Sequence, residues 1–244
     1  MRRFFIVLAA VAAVCFPASS EAGERAAVVE LFTSQGCNSC PPADAMLGQL
    51  AKRKDVIAFS LHVDYWDYLG WKDTFASPEN TTRQRAYARA PGRRTIYTPE
   101  MVIGGETHVV GSDGAAIERA IAKAKAKANP KDRFEIAFAR DNTDYVTVTI
   151  SADESVRGRA AVLLFRYDTR HEVAIERGEN AGHKLAYHNV VREVRRLDTW
   201  RGETMQFMLP IKDLRAGGRD GCAIVVQREH DGPVLGAAKI ALND

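Results

Sequence analysis

The sequence lacks a marked excess of charge of either sign, because 34 lysines and arginines accompany 31 aspartates and glutamates, for a formal net charge of +3. Nucleic-acid-binding domains carry a basic patch or stripe, so we expect no nucleic-acid partner. The sequence also lacks an apolar run long enough to cross a bilayer, which takes about 20 residues. The stretch IVLAAVAAVCFPA near the N-terminus is shorter, and we expect no stable membrane anchor.

That apolar stretch has the pattern of a signal peptide. It follows the basic start MRRFF and precedes SSEAG, which offers a Ser-x-Ala cleavage pattern ending at Ala22. We therefore expect residues 1–22 to be removed and the mature protein to be periplasmic or secreted. Such a compartment is oxidising and permits disulfides.

Cysteine is scarce, and removal of the leader would leave only Cys37, Cys40 and Cys222. An odd number fits a framework of structural disulfides poorly. One close pair together with one thiol buried in a strand fits redox or metal chemistry better.

The remaining chain divides into two parts of different character. From Ala26 to about residue 129, apolar runs of strand length alternate with helical patterns in the order β-α-β-α-β-β-α. From about Asp132, seven short alternating strands follow with polar turns between them, a pattern typical of a β-sandwich. We therefore predict an α/β domain over residues 24–130 and a mainly β, sandwich-like domain over residues 131–244.

The segment TSQGCNSCPPAD places Cys37 and Cys40 two residues apart, between a predicted strand and a predicted helix. Two such cysteines can close and reopen a small disulfide ring, and the positive end of the helix dipole favours a thiolate on Cys37. The two prolines that follow suit a first helical turn, so the helix should begin around Cys40 to Pro42. Gly36 should leave the Cys37 sulfur uncovered.

A second element supports redox chemistry. Thr98 and Pro99 open a predicted hairpin, where proline is useful as a cis-proline turn packed against a cysteine pair. Together these features resemble the thioredoxin-like thiol-disulfide oxidoreductases. The resemblance implies that Cys37 attacks, that Cys40 resolves the mixed disulfide, and that Thr98 and Pro99 hold the substrate backbone.

Two further predictions concern the surroundings of the cysteines. Glu30 is a single carboxylate within the apolar strand AAVVELF, and the same resemblance implies a buried acid that accepts the proton of Cys40. The alternative is that Glu30 is hydrogen-bonded in place and takes no part in a reaction. Trp66 and Trp71 lie in the aromatic and acidic segment DYWDYLGWKD, which either packs over the sheet edge or forms a wall that docks a protein or peptide.

Four separated motifs resemble a secreted bacterial family catalogued as domain of unknown function 1223. They are VVELFTSQGCNSCPPAD, HVDYWDYLGWKDTF, YTPEMVIGG and RGENAGHKLAYHNVVR. The resemblance runs from about Ala26 to the end of the chain. It implies a thioredoxin-like domain and a conserved cysteine pair, without assigning a biochemical role.

The sequence therefore predicts reversible dithiol–disulfide exchange with protein or peptide thiols and disulfides, with the Cys37–Cys40 disulfide as the redox group and no added cofactor. Three alternatives stay open. Cys37, Cys40, His62 and Asp64 would suit Cu(I) or Zn(II) if the strand ends converge. The pair could also be a structural disulfide, or the protein a non-catalytic binding module.

Overall fold

The structure is a computed structural model that describes residues 26–127, 134–140, 144–152 and 156–242. The predicted signal peptide and the predicted domain boundary near residue 130 both lie outside these residues. Within them, no helix is both long and apolar enough to cross a membrane.

The first half of the chain forms strands and helices in alternation. Its strands are β1 (Ala27–Thr33), β2 (Val56–His62), β3 (Glu100–Ile103) and β4 (Thr107–Val110). Its helices are α1 (Pro41–Leu50), α2 (Pro78–Arg89) and α3 (Gly114–Ala126), with a short 3-10 turn at Asp67–Leu69. The helix starts follow from local chemistry, because the Ser77 and Asp113 side chains accept hydrogen bonds from backbone N–H groups of α2 and α3.

The second half is almost entirely strand. It contains β5 (Phe134–Arg140), β6 (Tyr145–Ala152), β7 (Ala160–Ala174), β8 (Lys184–Trp200), β9 (Met205–Pro210), β10 (Gly221–Arg228) and β11 (Val234–Ala241), with a one-turn helix, α4 (Ile211–Leu214), after β9. β7 and β8 are long and pair antiparallel as a hairpin whose tip spans residues 175–183.

The prediction of a thioredoxin-like α/β domain followed by a separate β-sandwich domain is wrong. Eight strands from both halves form one mixed sheet in the order β11-β10-β7-β8-β2-β1-β3-β4, and strand (44%) outweighs helix (20%). Only β5, β6 and β9 form a second, three-stranded sheet. The protein is therefore mostly β, built on a sheet that both halves share.

The join between the halves lies at β2 and β8, which run parallel and pair at Ser60 and Val190. Next to this pair, the Asn189 side chain donates a hydrogen bond of 2.9 Å to the carbonyl of Ala58. Asn189 has a left-handed backbone (φ 47°), a conformation that asparagine tolerates better than most residues. The hydrogen bond from the Asn189 side chain thus supplements the short stretch of backbone pairing between β2 and β8.

The core lies on both faces of the large sheet. On one face, Val28, Phe32 and Phe59 pack with Tyr87 of α2 and with residues of β7, β8 and β10 such as Phe165. On the other face, α1 and α3 cover β1, β2 and β3, while the three-stranded sheet covers β7 and β10. Because β1 is covered on both sides, all seven of its residues are buried.

Glu30 lies on the face of β1 that packs against α2. This is the opposite face of the sheet from α1, and there Glu30 binds Arg83. The Arg83 Nε and Nη2 donate to the two Glu30 oxygens at 2.5 and 2.8 Å, and the Tyr87 hydroxyl donates at 2.6 Å. Gln227 of β10 accepts from Arg83 and donates to Tyr87, both at 3.0 Å. The structure therefore does not bring Glu30 to Cys40 as a proton acceptor, and instead uses it to tie β1 to α2 and β10.

We predict that Arg83→Met destabilises the protein by about 3–5 kcal/mol, since it leaves the buried Glu30 carboxylate without a cationic partner and with only the Tyr87 hydroxyl as a donor. The double variant Arg83→Met/Glu30→Gln should regain much of that loss, because the uncompensated charge is gone. Urea unfolding of both variants measures the difference. Equal stability of the single and double variants would contradict the structural role given to this pair.

Candidate functional site

The cysteine loop connects the end of β1 to α1 and is closed by a disulfide between Cys37 and Cys40. Cys40 is the N-cap residue of α1, and Pro41 and Pro42 occupy its first turn, as the sequence predicts. The backbone N–H of Cys37 donates to the Ser34 carbonyl at 3.2 Å, and that of Cys40 donates to the Cys37 carbonyl at the same distance. The two cysteines therefore sit at the positive end of a helix.

Both cysteines are fully buried, at 0% exposure, whereas Asn38 and Ser39 between them are exposed. The expectation that Gly36 leaves the Cys37 sulfur uncovered is wrong. A Cβ atom at Gly36 would lie 3.3 Å from the Trp66 Cβ, so Trp66 packs directly against this part of the loop. Any attack on the disulfide therefore requires the loop or its cover to move.

Part of the cover comes from the tip of the β7–β8 hairpin. The Asn180 side-chain amide donates to the carbonyls of Gln35 and Cys37, at 2.8 and 2.9 Å, and Asn180 is itself buried. Asn180, more than 140 positions further along the chain, thus binds the backbone of the cysteine loop at Gln35 and Cys37. This contact gives the β-rich half a direct part in the site.

The aromatic segment forms the rest of the rim. The indole N–H of Trp66 donates to the Thr98 hydroxyl at 2.8 Å, and that of Trp71 donates to the Gln35 side chain at 2.8 Å. The Thr98–Pro99 peptide bond is cis. Gly111 places Pro99 beside the first turn of α1, because a Cβ on this glycine would lie 3.0 Å from the Cβ atoms of both Pro99 and Ala43. The predicted substrate-binding residues thus surround the cysteine loop.

Asp73 links the loop to β2. Its Oδ2 accepts from the Gln35 backbone N–H and contacts the His62 Nδ1, both at 2.7 Å, and its Oδ1 accepts from the Phe75 N–H at 2.8 Å. Burial on its own would raise the pKa of Asp73, but His62 and the two N–H groups outweigh it, so the pKa is lowered. A buried Asp–His pair therefore lies under the cysteine loop.

Asp44 is a second buried acid, in the first turn of α1. Neither of its carboxyl oxygens has a hydrogen-bond partner among the described residues. Burial raises its pKa from 3.8 to about 7, and the nearby His62 side chain only partly opposes that rise. Asp44 is therefore a group that can gain or lose a proton near neutral pH.

The residues of the metal alternative do not assemble into a ligand set in the part of the chain that the structure describes. His62 Nδ1 binds Asp73, and Asp64 accepts from the Thr81 hydroxyl at 2.6 Å. No group of three or more His, Cys, Asp and Glu side chains there is arranged to hold a metal ion. The third cysteine, Cys222, is a buried free thiol in β10.

Sequence reasoning missed Asp44, Asp73 and Asn180 as parts of the site. Asp44 is the last residue of TSQGCNSCPPAD and Asp73 is the last residue of DYWDYLGWKD, so both lie within motifs that the sequence analysis singled out. Their burial is what distinguishes them, and a single sequence does not show it. Asn180 lies in RGENAGHK, a polar turn whose composition gives no sign of the cysteine loop it contacts.

The sequence matches the family model described as "Protein of unknown function (DUF1223)" over residues 28–227. The chain therefore belongs to this family, as its motifs predict. A crystal structure of a protein from Agrobacterium tumefaciens, solved by the Northeast Structural Genomics Consortium, is similar with a TM-score of 0.77 and 35% identity, covering 91% of this chain and 97% of that chain. No curated protein matches the chain.

We predict that Asp44 makes the stability of the oxidised protein depend on pH. The unfolded chain releases this proton near pH 3.8 and the folded protein near 7, so stability falls as pH rises through this window. The free energy of unfolding of Asp44→Asn, taken relative to that of wild type, should therefore increase by up to about 4 kcal/mol from the acid end to the alkaline end of this window. Urea unfolding at a series of pH values tests this, and a pH-independent difference between variant and wild type would contradict it.

We also predict that Asn180→Ala makes the disulfide easier to reach. Removing two hydrogen bonds of about 1 kcal/mol each should raise the population of the opened loop by up to about 30-fold. The rate of disulfide reduction by a phosphine should increase accordingly, whereas Asn38→Ala, at an exposed position of the same loop, should leave it unchanged. Equal rates for Asn180→Ala and wild type would show that this contact does not hold the cover in place.

Proposed function

We propose that this member of the DUF1223 family carries out thiol–disulfide exchange through Cys37 and Cys40. The observation that carries the proposal is a disulfide between two cysteines separated by two residues. It lies at the N-terminal end of α1, next to the cis Thr98–Pro99 bond. The helix end favours a thiolate when the ring opens. The proposal rests on this local geometry and needs no analogy of overall fold.

The exchange itself conserves electrons. A substrate thiolate attacks the Cys37 sulfur, the Cys37–Cys40 bond breaks, and its electron pair leaves on the Cys40 sulfur. A second substrate thiolate then releases Cys37 and forms the substrate disulfide, so the substrate is oxidised and the cysteine pair reduced. The reverse sequence reduces a substrate disulfide.

Protein or peptide thiols are the partners that the rim favours. Trp66 and Trp71 are half-buried beside the loop, and Tyr68 between them is 79% exposed. Aromatic side chains of this kind are typical anchors of protein interfaces. A disulfide also fits the proposed periplasmic or secreted location, where such bonds persist.

Full burial of both cysteines favours a second candidate, a disulfide that only holds the loop in place within a binding module. A disulfide that closes such a short loop removes little conformational entropy from the unfolded chain, and it therefore stabilises the fold weakly. The Asn180 contact would then be a permanent part of the structure. Metal binding is supported less, because His62 is engaged with Asp73 and the two sulfurs are joined to each other.

The test is a redox titration of the protein in a glutathione series, followed by trapping. We expect a reversible two-electron couple between about −270 and −120 mV, the range of exchanging pairs. Cys40→Ser should accumulate a mixed disulfide when it is mixed with a disulfide-containing peptide, because the Cys37 thiolate attacks that disulfide, one peptide thiolate leaves, and Cys37 then has no resolving partner. Cys37→Ser should not accumulate one.

Cys222→Ala is the matched control, since it removes a thiol that lies buried in β10, and it should keep the wild-type couple. A pair that stays oxidised throughout the series would exclude exchange and leave the structural disulfide. Full exchange activity in Cys37→Ser would also overturn the proposal.

A further inference from the structure

The first turn of α1 covers a group of buried polar atoms that lack hydrogen-bond partners among the described residues. These atoms are Thr33 Oγ1, both carboxyl oxygens of Asp44, Ser60 Oγ, His62 Nε2 and Tyr187 OH. An unsatisfied buried polar group costs about 1–3 kcal/mol. Such a concentration calls for an explanation, either an ordered water that bridges these atoms or a catalytic role.

The strand register brings these side chains to one place. Thr33 and His62 are register partners on β1 and β2, and Ser60 precedes His62 by two residues and so faces the same side. The His62 and Tyr187 rings pack edge to face with centroids 4.8 Å apart. Because Val29 and Ala58 of the same strand faces pack against α1, this polar group lies on the α1 side of the sheet.

We propose that Asp44 exchanges a proton with Cys40 as the disulfide opens and closes, with the Asp73-bound His62 as its ionisable neighbour. This inference rests on the proposed function and deepens it. The backbone N–H of Asp44 donates to the Cys40 carbonyl at 3.1 Å, so the two residues are one helical turn apart. Their side chains share a helix face with about 5–6 Å between Cβ atoms, within reach of transfer directly or through one water.

The proton balance is simple. When a thiolate attacks Cys37, the departing Cys40 sulfur takes the proton of the Asp44 carboxyl group, which becomes a carboxylate. On closure, the carboxylate removes the proton from the Cys40 thiol before that sulfur attacks Cys37. Asp44 suits both steps because burial raises its pKa to about 7.

The other titratable groups facing Asp44 are His62 from β2, Tyr187 from β8 and Asp73 from the segment before α2. His62 favours the charged carboxylate, and Asp73 opposes it. Burial raises the pKa of the Tyr187 hydroxyl, with Asp44 and Asp73 adding to the rise, so Tyr187 stays neutral in the pH range of interest. The pH dependence near neutrality is therefore assigned to Asp44.

The test is the rate of disulfide opening by dithiothreitol, measured by stopped flow and divided by the thiolate concentration at each pH. For wild type, this rate constant should fall by roughly tenfold or more between about pH 6 and about pH 9, because the Asp44 carboxyl group loses the proton that it would donate. For Asp44→Asn it should be lower at about pH 6 by a factor of roughly ten or more, and flat with pH. Asp64→Asn is the matched control, because Asp64 is bonded to Thr81, and it should keep the wild-type profile.

The outcomes separate the two proposals. A flat, slow Asp44→Asn profile in a protein at least as stable as wild type supports proton transfer. A slow rate with an unchanged pH profile would mean that Asp44 only supports the loop, and it overturns the inference. Exchange with the same rate and profile in both proteins overturns the role of Asp44 alone, whereas a wild-type disulfide that never opens overturns this inference together with the proposed function.

Discussion

The buried carboxylate of Asp73 is the contact on which the geometry of the cysteine loop depends. One of its oxygens accepts from the Gln35 N–H of the loop and also contacts His62 at the end of β2. These bonds fix the aromatic segment, the loop and the strand relative to one another. Since a buried carboxylate that loses its hydrogen-bond donors is strongly destabilising, these contacts hold the loop, the rim and the polar group beneath α1 together.

The β7–β8 hairpin does two things that a separate second domain would not do. Its β8 strand extends the N-terminal sheet by pairing with β2, and its tip carries Asn180 to the cysteine loop. The sheet and the cover of the disulfide therefore come from the same pair of strands. In the first half, Glu30 and Arg83 strengthen this arrangement by tying β1 to β10 through Gln227.

Local features could be predicted from the sequence because local chemistry determines them. The prolines after Cys40 set the start of α1, Thr98–Pro99 forms a cis bond, and the alternating runs of the second half are strands. Strand partners could not be predicted in this way, because a continuous apolar run shows that a strand is buried on both faces but does not show which strands lie beside it. β7 and β10 illustrate this ambiguity, and it produced the wrong division into two folds.

The site residues show the same limit. Cys37 and Cys40 are recognisable from their spacing, while Asp44 has the position of an ordinary first-turn acid that favours a helix start. The packing of β8, β2 and β1 against α1 turns it into a buried acid. Asn180 contacts the loop from 143 residues further along the chain, and no local pattern reports a contact of that range.

The position of Asn180 in the chain also orders events during synthesis, which proceeds from the N-terminus. The hydrogen bond from Asn180 to the Cys37 carbonyl cannot form until residue 180 has been made, and the β2–β8 pairing cannot form until residue 190 has been made. A nascent chain shorter than this therefore has the part of the cover that Trp66 and Trp71 supply, and lacks the part that the hairpin tip supplies. Contacts of such long range form late and slowly, so we expect the hairpin's part of the cover to form after the contacts that Trp66 and Trp71 make with the loop.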